Sequence, residues 1–321
     1  MKLTVVGTGK IVEEALPVIA ATNGIEIKAL VSTPRSREKA ETLAEQYQIP
    51  DIYTSLDQAL ANPNTDTVYV ATPNHLHYEM TKAALLAGKH VICEKPFTLK
   101  EAQAQELAQL AKEKELILLE AITNLYLENF AVLKEELTNL GDIKIVDCNY
   151  SQYSSRYDAF KDGVIAPAFD PEKGGGALRD LNIYNIHLVV ALFGDPTSVD
   201  YLPNLERGVD TSGILILDYT DFKVVCIAAK DCSAEVRTII QGNKGSMIVA
   251  GESNTLPQVK ITENGSQPRL VNKNSAEHRM AAEFRAFQAI INDRDFARAQ
   301  EAIEHSLKVM KVLEKASENL S

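Results

Sequence analysis

Apolar and polar residues alternate in two different rhythms along the first 120 positions of the chain. Short runs that are apolar throughout predict buried strands, and longer segments with apolar residues at helical intervals separate them. Strands that are apolar on both faces and alternate strictly with helices form a parallel sheet covered on both sides. The predicted strands are 3–6, 25–31, 66–71, 90–93 and 116–119, and the predicted helices are 11–22, 36–48, 76–87 and 99–114.

The strict alternation ends after residue 120. A polar, irregular stretch at 154–173 leads into a glycine run, and beyond residue 199 several strands follow one another with short turns. Consecutive strands with tight connections indicate an antiparallel or mixed sheet. The predicted strands here are 143–153, 212–219, 223–230, 236–241 and 246–250, and the helices are 129–140, 177–193 and a region at 276–318 that breaks near 292–295.

The length of 321 residues exceeds what one hydrophobic core usually supports, so we expect two domains. The change of pattern places their boundary near residues 120–124, with no flexible linker. We therefore predict a first domain at 1–122 and a second domain at 123–321.

Composition and charge exclude several classes of protein. With 45% hydrophobic and 24% charged residues the chain is typical of a globular protein, and its net charge of −11 argues against nucleic acid or an anionic membrane as the main partner. The start MKLTVVGTG predicts a strand and not a secretory signal, and no stretch is apolar enough to span a bilayer. Four scattered cysteines predict free thiols in the cytoplasm, with neither disulfides nor a metal site.

A glycine-rich turn connects the first strand to the first helix. Glycines there permit a tight turn and let backbone amides approach a pyrophosphate, whose charge the helix N-terminus favours. The third small position of this dinucleotide fingerprint is occupied by Val12, which departs from the pattern. The predicted cofactor contacts in this turn are Gly7, Thr8, Gly9, Lys10 and Ile11.

The end of the second strand predicts the choice of dinucleotide. NAD-selective sites usually carry Asp or Glu there, whereas this chain has hydroxyl residues and an arginine, which can accept a 2′-phosphate. We therefore favour NADP over NAD. The alternative is a solvated loop in which Arg35 and Arg37 pair with acidic residues of the next helix, Glu38 or Glu41. The predicted contacts are Ser32, Thr33 and Arg35.

Two further loops follow predicted strands and face the same cofactor, because ligands of such sheets bind beyond the carboxyl ends of the strands. Lys95 precedes a proline that ends its strand, and a positioned ammonium can hold an oxyanion. The alternatives to these functional roles are that Lys95 is a solvated surface residue and that the histidines cap a helix. The predicted contacts are Ala71, Thr72, Asn74, His77, Glu94 and Lys95.

A second group of candidate residues follows the glycines at 174–176. Asp180, Tyr184 and His187 have the i, i+4, i+7 spacing that places side chains on one face of an α-helix. The alternative is that the aspartate compensates the helix dipole while the tyrosine and histidine side chains only pack against their neighbours. The stretch 150–157 carries hydroxyls, an amide and an arginine that suit a polyhydroxylated ligand or a solvated edge, and from it we select Tyr153 and Arg156 as substrate contacts.

These motifs resemble, in order and spacing, the glucose–fructose oxidoreductase / inositol dehydrogenase (Gfo/Idh/MocA) family. The matching segments are G-T-G-x-I, A-T-P-N-x-x-H, A-G-K-H-V-x-x-E-K-P, Glu120-Ala121 and the run 174–184. Tyr184 stands where inositol-type members usually have His, as in members similar to dihydrodiol or xylose dehydrogenases. Asn182 stands where relatives of that group usually have Gly.

The resemblance implies an α/β chain: an N-terminal Rossmann domain with a doubly wound parallel sheet, and a C-terminal α+β domain with an open, mostly antiparallel sheet. That sheet commonly forms the subunit interface, which implies a homodimer or homotetramer. The implied cofactor is NADP or NAD, and the implied partner is a small polyhydroxylated or diol substrate.

The resemblance also implies an activity, hydride transfer between nicotinamide and a secondary alcohol or carbonyl of a sugar, polyol or diol. The implied catalytic residues are Lys95, Tyr184 and Asp180, with Tyr184 exchanging the hydroxyl proton, Lys95 stabilising the alkoxide and Asp180 orienting Lys95 or a substrate hydroxyl. His187, Tyr153 and Arg156 are the substrate candidates. The alternative is a non-catalytic dinucleotide-binding sensor; glycoside hydrolysis on the same fold has no sequence feature in its favour.

Overall fold

The computed structural model describes residues 1–276 and 278–320. Its first sheet has six strands in the order β3-β2-β1-β4-β5-β6, and every neighbouring pair is parallel. The prediction of a doubly wound parallel sheet is confirmed. Its elements are β1 (Lys2–Val6), α1 (Lys10–Ala21), β2 (Glu26–Val31), α2 (Arg37–Tyr47), β3 (Asp51–Tyr53), α3 (Leu56–Leu60), β4 (Thr67–Val70), α4 (His77–Leu86), β5 (His90–Glu94), α5 (Glu101–Glu113) and β6 (Leu118–Ala121).

The central strands of this sheet are buried on both faces, as their continuous apolar sequence requires. Leu3, Val5, Val68 and Val91 have no exposed surface. The edge strand β3 and the short helix α3 were not predicted from the sequence. Both are brief, and β3 is only half-buried along its length, so neither carries a strong periodic pattern.

The second sheet has eight strands in the order β14-β13-β12-β11-β7-β10-β9-β8. Only the β7–β10 pair is parallel, so the predicted, mostly antiparallel sheet is confirmed. Its elements and those packed with it are α6 (Glu128–Glu136), β7 (Ile143–Ser151), α7 (Tyr157–Lys161), a π-helical turn (Leu178–Asn182), α8 (Ile183–Phe193), β8 (Ser198–Glu206), β9 (Val209–Asp218), β10 (Lys223–Ala229), β11 (Arg237–Gly242), β12 (Gly245–Ala250), β13 (Val259–Glu263) and β14 (Arg269–Val271).

One face of this sheet is buried and the other is open. Along β9 and β10 the side chains of Leu215, Leu217, Val224 and Cys226 are fully buried, whereas Ile214 on the opposite face is exposed. Side chains alternate between the two faces of a strand, so this pattern shows a sheet covered on one side.

The C-terminal region forms α9 (Met280–Asn292) and α10 (Phe296–Ser317), and the break between them is where the sequence predicted it. The chain divides into two compact units, Met1–Ala121 with Met280–Leu307 and Ile122–Arg279 with Lys308–Ser321. This division differs from a single cut between 122 and 123, because α9 packs on the first unit. Phe284 contacts the ring of Tyr69 edge-on at 5.5 Å, and the side chain of Gln288 lies against Gly24.

Within residues 1–276 and 278–320, no helix is both long and apolar enough to cross a membrane. All four cysteines are free thiols; Cys93, Cys148 and Cys226 are buried, and Cys232 is exposed.

Candidate active site

The turn after β1 requires glycine at one position and leaves open space at another. Gly7 has a φ of +122°, and a methyl group on its Cα would collide with the carbonyl oxygen of Ala71, in the loop after β4. Gly9 caps the N-terminus of α1 with a φ of −74°, and a methyl group there would meet no atom within 4 Å. Val12, at the third fingerprint position, is fully buried beneath the turn.

This geometry fits the pyrophosphate of a dinucleotide. The Val12 and Glu13 amides donate to the Gly9 carbonyl at 3.0 and 3.1 Å, whereas the preceding amides of Lys10 and Ile11 stand before the first helical carbonyl, and Gly9 supplies no side chain to cap them. The open space at Gly9 lets an anionic ligand approach the backbone, where the helix N-terminus favours negative charge.

The loop after β2 presents one arginine without a carboxylate partner. Arg37 donates to Glu41 at 2.9 Å, so the alternative that these arginines pair with acidic residues of the next helix is confirmed for Arg37. Arg35 is exposed and forms no ion pair within the part of the chain that the structure describes. It lines an open depression of about 700 Å³ whose other polar lining residues include Ser36, Lys39, Glu13 and Glu38.

Of the two predicted hydroxyl contacts in this loop, Ser32 is buried and Thr33 is exposed. Thr33 and Ser36 close the short 3-10 turn Pro34–Ser36 reciprocally, with the Thr33 amide donating to Ser36 Oγ at 3.2 Å and the Ser36 amide to the Thr33 carbonyl at 3.0 Å. These hydrogen bonds therefore hold the backbone of Arg35 at the end of β2 and do not involve the arginine side chain.

His77 does not have the accessible surface that a direct cofactor contact requires. It is fully buried, with Nδ1 2.9 Å from the carbonyl oxygen of Pro96 and Nε2 2.9 Å from that of Thr72. Burial lowers the pKa of His77, although both carbonyls oppose that shift. The predicted contact is therefore corrected: His77 joins the loop after β4 to the turn after β5 and positions both.

Lys95 follows β5 directly and is half-buried. Hydrogen bonds fix the chain on both sides of it: the Tyr69 hydroxyl donates to Glu94 Oε1 at 2.5 Å, and the Phe97 amide donates to Glu120 Oε1 at 2.9 Å. Because β1, β4 and β5 are parallel neighbours, Lys95 lies at the same edge of the sheet as the glycine turn.

The glycine run of the second unit makes room for a buried aspartate. Gly176 has a φ of +116°, and a methyl group there would collide with Oδ1 of Asp210. Asp210 Oδ2 accepts hydrogen bonds from the Leu178 amide at 2.7 Å and from the Tyr201 hydroxyl at 2.8 Å. Burial raises the pKa of Asp210, and these two hydrogen bonds oppose the increase. Asp210 thus anchors the start of the helical segment that carries Asp180.

That segment begins with a π-helical turn, Leu178–Asn182, and not with α-helix. The prediction that Asp180, Tyr184 and His187 share one face assumed 3.6 residues per turn, which does not apply across a π turn. Asp180 retains about a third of its side-chain exposure (35%), Tyr184 is nearly buried and His187 is fully buried. His187 therefore cannot contact a substrate unless its neighbours move, which corrects its predicted role.

Lys230 is a functional candidate that sequence analysis missed. It follows the last residue of β10, its side chain is 2% exposed, and its ammonium lies 2.7 Å from Oδ2 of Asp180. A charged residue directly after a strand as apolar as Lys223–Ala229 was the available indication, but nothing in the sequence named its partner.

Asn182 fills the position where relatives usually have glycine. It is fully buried, its side-chain amide donates to the Cys226 carbonyl at 3.1 Å, and its side-chain oxygen accepts from Asn185 at 2.9 Å. The asparagine therefore binds the π turn to β10.

The other two substrate candidates lie beside α7, a helix within the stretch predicted to be irregular. Tyr153 is exposed, and its hydroxyl donates to Asp158 Oδ1 at 2.7 Å. Arg156 is half-buried and precedes the first residue of α7, where its amide donates to Ser154 Oγ at 3.3 Å. Their substrate role stays a prediction.

Comparison with known proteins connects both units to one family. Residues 1–121 match the model described as "Oxidoreductase family, NAD-binding Rossmann fold", and residues 136–248 match the GFO/IDH/MocA C-terminal domain. The chain belongs to the Gfo/Idh/MocA family. As a member of this family it is an NAD(P)-dependent oxidoreductase with a Rossmann domain, as the resemblance of its motifs implied.

Relatives of this Gfo/Idh/MocA chain extend along most of its length. It is 31% identical over 323 residues to scyllo-inositol 2-dehydrogenase (NADP(+)) of Bacillus subtilis, covering 100% of this chain and 97% of the relative. It is 30% identical over 270 residues to D-xylose 1-dehydrogenase (NADP(+)) of Hypocrea jecorina, covering 77% and 69%. The 3-ketoreductase KijD10 from Actinomadura kijaniata shares its fold, with a TM-score of 0.84 at 23% identity, covering 98% and 96%.

Proposed function

We propose that this protein transfers a hydride between NADP(H) and a secondary alcohol or the corresponding carbonyl of a sugar, polyol or related diol. The observation that carries the substrate class is Asp180, a partly exposed carboxylate that a buried ammonium fixes on the π turn, four residues before Tyr184. A fixed carboxylate is a strong acceptor for substrate hydroxyl groups. The related inositol and xylose dehydrogenases support the same class.

Three side chains have separate roles in this proposal. Tyr184 exchanges the proton of the reacting hydroxyl, Lys95 stabilises the negative charge that develops on that oxygen, and Asp180 orients Lys95 or a neighbouring hydroxyl of the substrate. When bound, the nicotinamide supplies hydride donor and acceptor chemistry. The residues of the glycine turn hold the pyrophosphate through backbone amides.

The test is a turnover screen of the purified protein. It is incubated with NADP⁺ and inositols, pentoses, hexoses or vicinal diols, and with NADPH and the corresponding ketones, while absorbance of the reduced nicotinamide is followed. Turnover confined to alcohols outside this class would change the proposed substrate. Tight cofactor binding without turnover of any substrate would favour the alternative function, a non-catalytic dinucleotide-binding sensor.

We also propose NADP as the preferred cofactor. The support is Arg35, exposed and without an ion pair in the described residues, at the end of a strand that lacks the acidic residue of NAD-selective sites. The NADP(+)-dependent relatives agree with this preference.

Arg35→Ala is expected to weaken NADPH binding by about tenfold or more, because a charge-assisted contact to the 2′-phosphate is lost, and to leave NADH binding unchanged. Fluorescence titration of both cofactors measures the effect. The control is Arg37→Ala, whose arginine already pairs with Glu41. Equal losses for NADPH and NADH, or an equal effect of Arg37→Ala, would refute the assignment of Arg35.

The proposal includes a homodimer or homotetramer formed through the open face of the second sheet. Ile214 of β9 lies between Leu202 of β8 and Ile227 of β10 in the strand register, and these three side chains share the open face. Leu202 and Ile214 are exposed although large and apolar. A contiguous apolar patch on a sheet face is typical of a subunit interface, and a second copy of the same patch is self-complementary.

Ile214→Lys is expected to reduce the molar mass in solution to that of a smaller assembly, because it places a charge in the centre of the apolar patch. Size-exclusion chromatography with light scattering at micromolar concentration measures this. Leu86→Lys is the control, since Leu86 is also a large exposed apolar residue but lies on α4 of the first unit. A monomeric wild type would show the interface to be wrong.

A further inference from the structure

The side chain of Lys230 places a positive charge in the interior of the second unit. Its ammonium lies 2.7 Å from Asp180 Oδ2, 2.5 Å from the carbonyl oxygen of Ala168 and 4.3 Å from the centre of the Phe169 ring. An ammonium has three N–H donors, so a carboxylate, a carbonyl and an aromatic face give each of them a partner. This satisfies a cation that is costly to bury.

The backbone of Lys230 is fixed as well. Its amide donates to the Thr211 carbonyl and its carbonyl accepts from the Ser154 amide, both at 2.8 Å. The main chain of Lys230 thus joins β9 to the segment that follows β7, and its side chain joins that segment to the π turn. Because both the main chain and the side chain of Lys230 are held, its ammonium has little freedom to follow a moving carboxylate. The ammonium therefore determines the position of the Asp180 carboxylate.

The two partners differ in their access to water. The Lys230 side chain is 2% exposed and the Asp180 side chain is 35% exposed. Lys230 therefore cannot contact a substrate directly, whereas the Asp180 carboxylate side chain retains surface that a substrate hydroxyl can reach. The buried cation holds one carboxylate oxygen, Oδ2, from inside the protein.

We propose that Lys230 is a positioning residue for the reaction, which fixes Asp180 in the orientation that binds a substrate hydroxyl. This inference rests on the proposed function of Asp180. It adds a residue outside the glycine turn after β1, the turn after β5 that carries Lys95, and the glycine run at 174–176. It also changes how Asp180 variants are interpreted, because replacing Asp180 leaves a buried ammonium without its anion.

Lys230→Met is expected to reduce kcat/KM by about tenfold to hundredfold, the effect of losing a hydrogen bond to a charged group, and to leave the NADPH dissociation constant unchanged. Methionine keeps the packing against Phe169 and removes the charge. Most of the loss should appear as a higher KM, because Asp180 remains present but is no longer held. Lys230→Arg, which retains a cation within reach of Asp180, should recover part of the loss.

The matched control is Lys223→Met. Lys223 lies at the other end of β10, is half exposed and pairs with Asp218, so the same substitution there should leave kcat/KM unchanged. Lys230→Gln, which removes the charge but keeps a donor, is made in parallel so that a folding failure of the methionine variant does not decide the result.

Stability gives a second, activity-independent measurement of the pair. Asp180→Asn should lower the thermal midpoint more than Lys230→Met does, because it removes the anion beside a buried ammonium, and the double variant should regain part of that loss. Additive effects would overturn the claim that the two residues act as a pair.

The outcomes separate this inference from the proposed function. Wild-type protein without turnover on any substrate overturns the proposed function and the inference with it. Turnover by the wild type, with normal kcat/KM in Lys230→Met and Lys230→Gln, overturns the inference alone. A parallel loss of NADPH binding in both variants also overturns it, because the effect would then not be confined to the substrate side.

Discussion

Lys95→Met lowers kcat by about two to four orders of magnitude if Lys95 stabilises the developing oxyanion, since acid–base and electrostatic groups have effects of that size. Methionine preserves the length of the side chain and removes the ammonium. The Glu94 side chain and the Phe97 amide are both held by hydrogen bonds on either side of Lys95, so the turn should keep its conformation. Steady-state kinetics with the best substrate of the screen, and NADPH titration by fluorescence, measure the two quantities separately.

Tyr184→Phe tests the other half of the same chemistry and should cause a loss of similar size, because phenylalanine retains the ring but cannot exchange a proton. The control is Tyr150→Phe. Tyr150 is as buried as Tyr184, and the centres of the two rings are 6.1 Å apart. Lys100→Met is the control for Lys95, since Lys100 is exposed and lies five residues further along the chain. Near-normal turnover in both Lys95→Met and Tyr184→Phe would remove them from the mechanism.

The residues at the edge of the first sheet could be predicted because their positions follow from local periodicity. Once strands and helices alternate and the strands are apolar, the turn at Gly7, the loop at Thr72 and Lys95 must all lie at the carboxyl ends of parallel strands. No long-range pairing has to be known for this conclusion. The register of β1, β4 and β5 agrees with it.

The partners of the second group could not be predicted in this way. Asp180 pairs with Lys230, fifty positions further along the chain, and Asp210 reaches the amide of Leu178, thirty-two positions away. Such contacts depend on how the strands of a mostly antiparallel sheet are ordered, and β7 pairs with β10 and β11 and not with β8, the next strand in sequence. Local spacing has no information about that order.

Helical periodicity also failed where the backbone is irregular. The i, i+4, i+7 spacing placed Asp180 and His187 on one face of an α-helix, whereas the segment begins with a π turn and His187 is fully buried. π turns occur often at functional sites, because an inserted residue redirects the side chains around it. Here Gly176 and Asp210 define the start of the turn, so the glycine run and the aspartate act together.

Gly7→Ala is expected to destabilise the first unit by about 2–6 kcal/mol, the sum of a strained backbone conformation and an overpacked contact. A φ of +122° disfavours any side chain, and the new methyl group would push against the Ala71 carbonyl in the adjacent loop. Urea unfolding followed by circular dichroism measures the change in free energy. NADPH binding should be lost as well, because both displaced loops belong to the predicted cofactor site.

Gly9→Ala separates the two roles that glycine has in this turn. Its backbone φ of −74° suits alanine, and open space surrounds the position, so the unliganded protein should unfold at an unchanged urea concentration. The same methyl group would occupy the space in which a pyrophosphate approaches the helix N-terminus, so NADPH binding should weaken by at least about tenfold, as for a lost charge-assisted contact. Unimpaired NADPH binding in Gly9→Ala would place the pyrophosphate elsewhere, and unimpaired stability in Gly7→Ala would show that the Ala71 loop yields. A glycine turn that serves both the fold and the cofactor predicts two different patterns. Gly9→Ala should lose NADPH binding without losing stability, and Gly7→Ala should lose both.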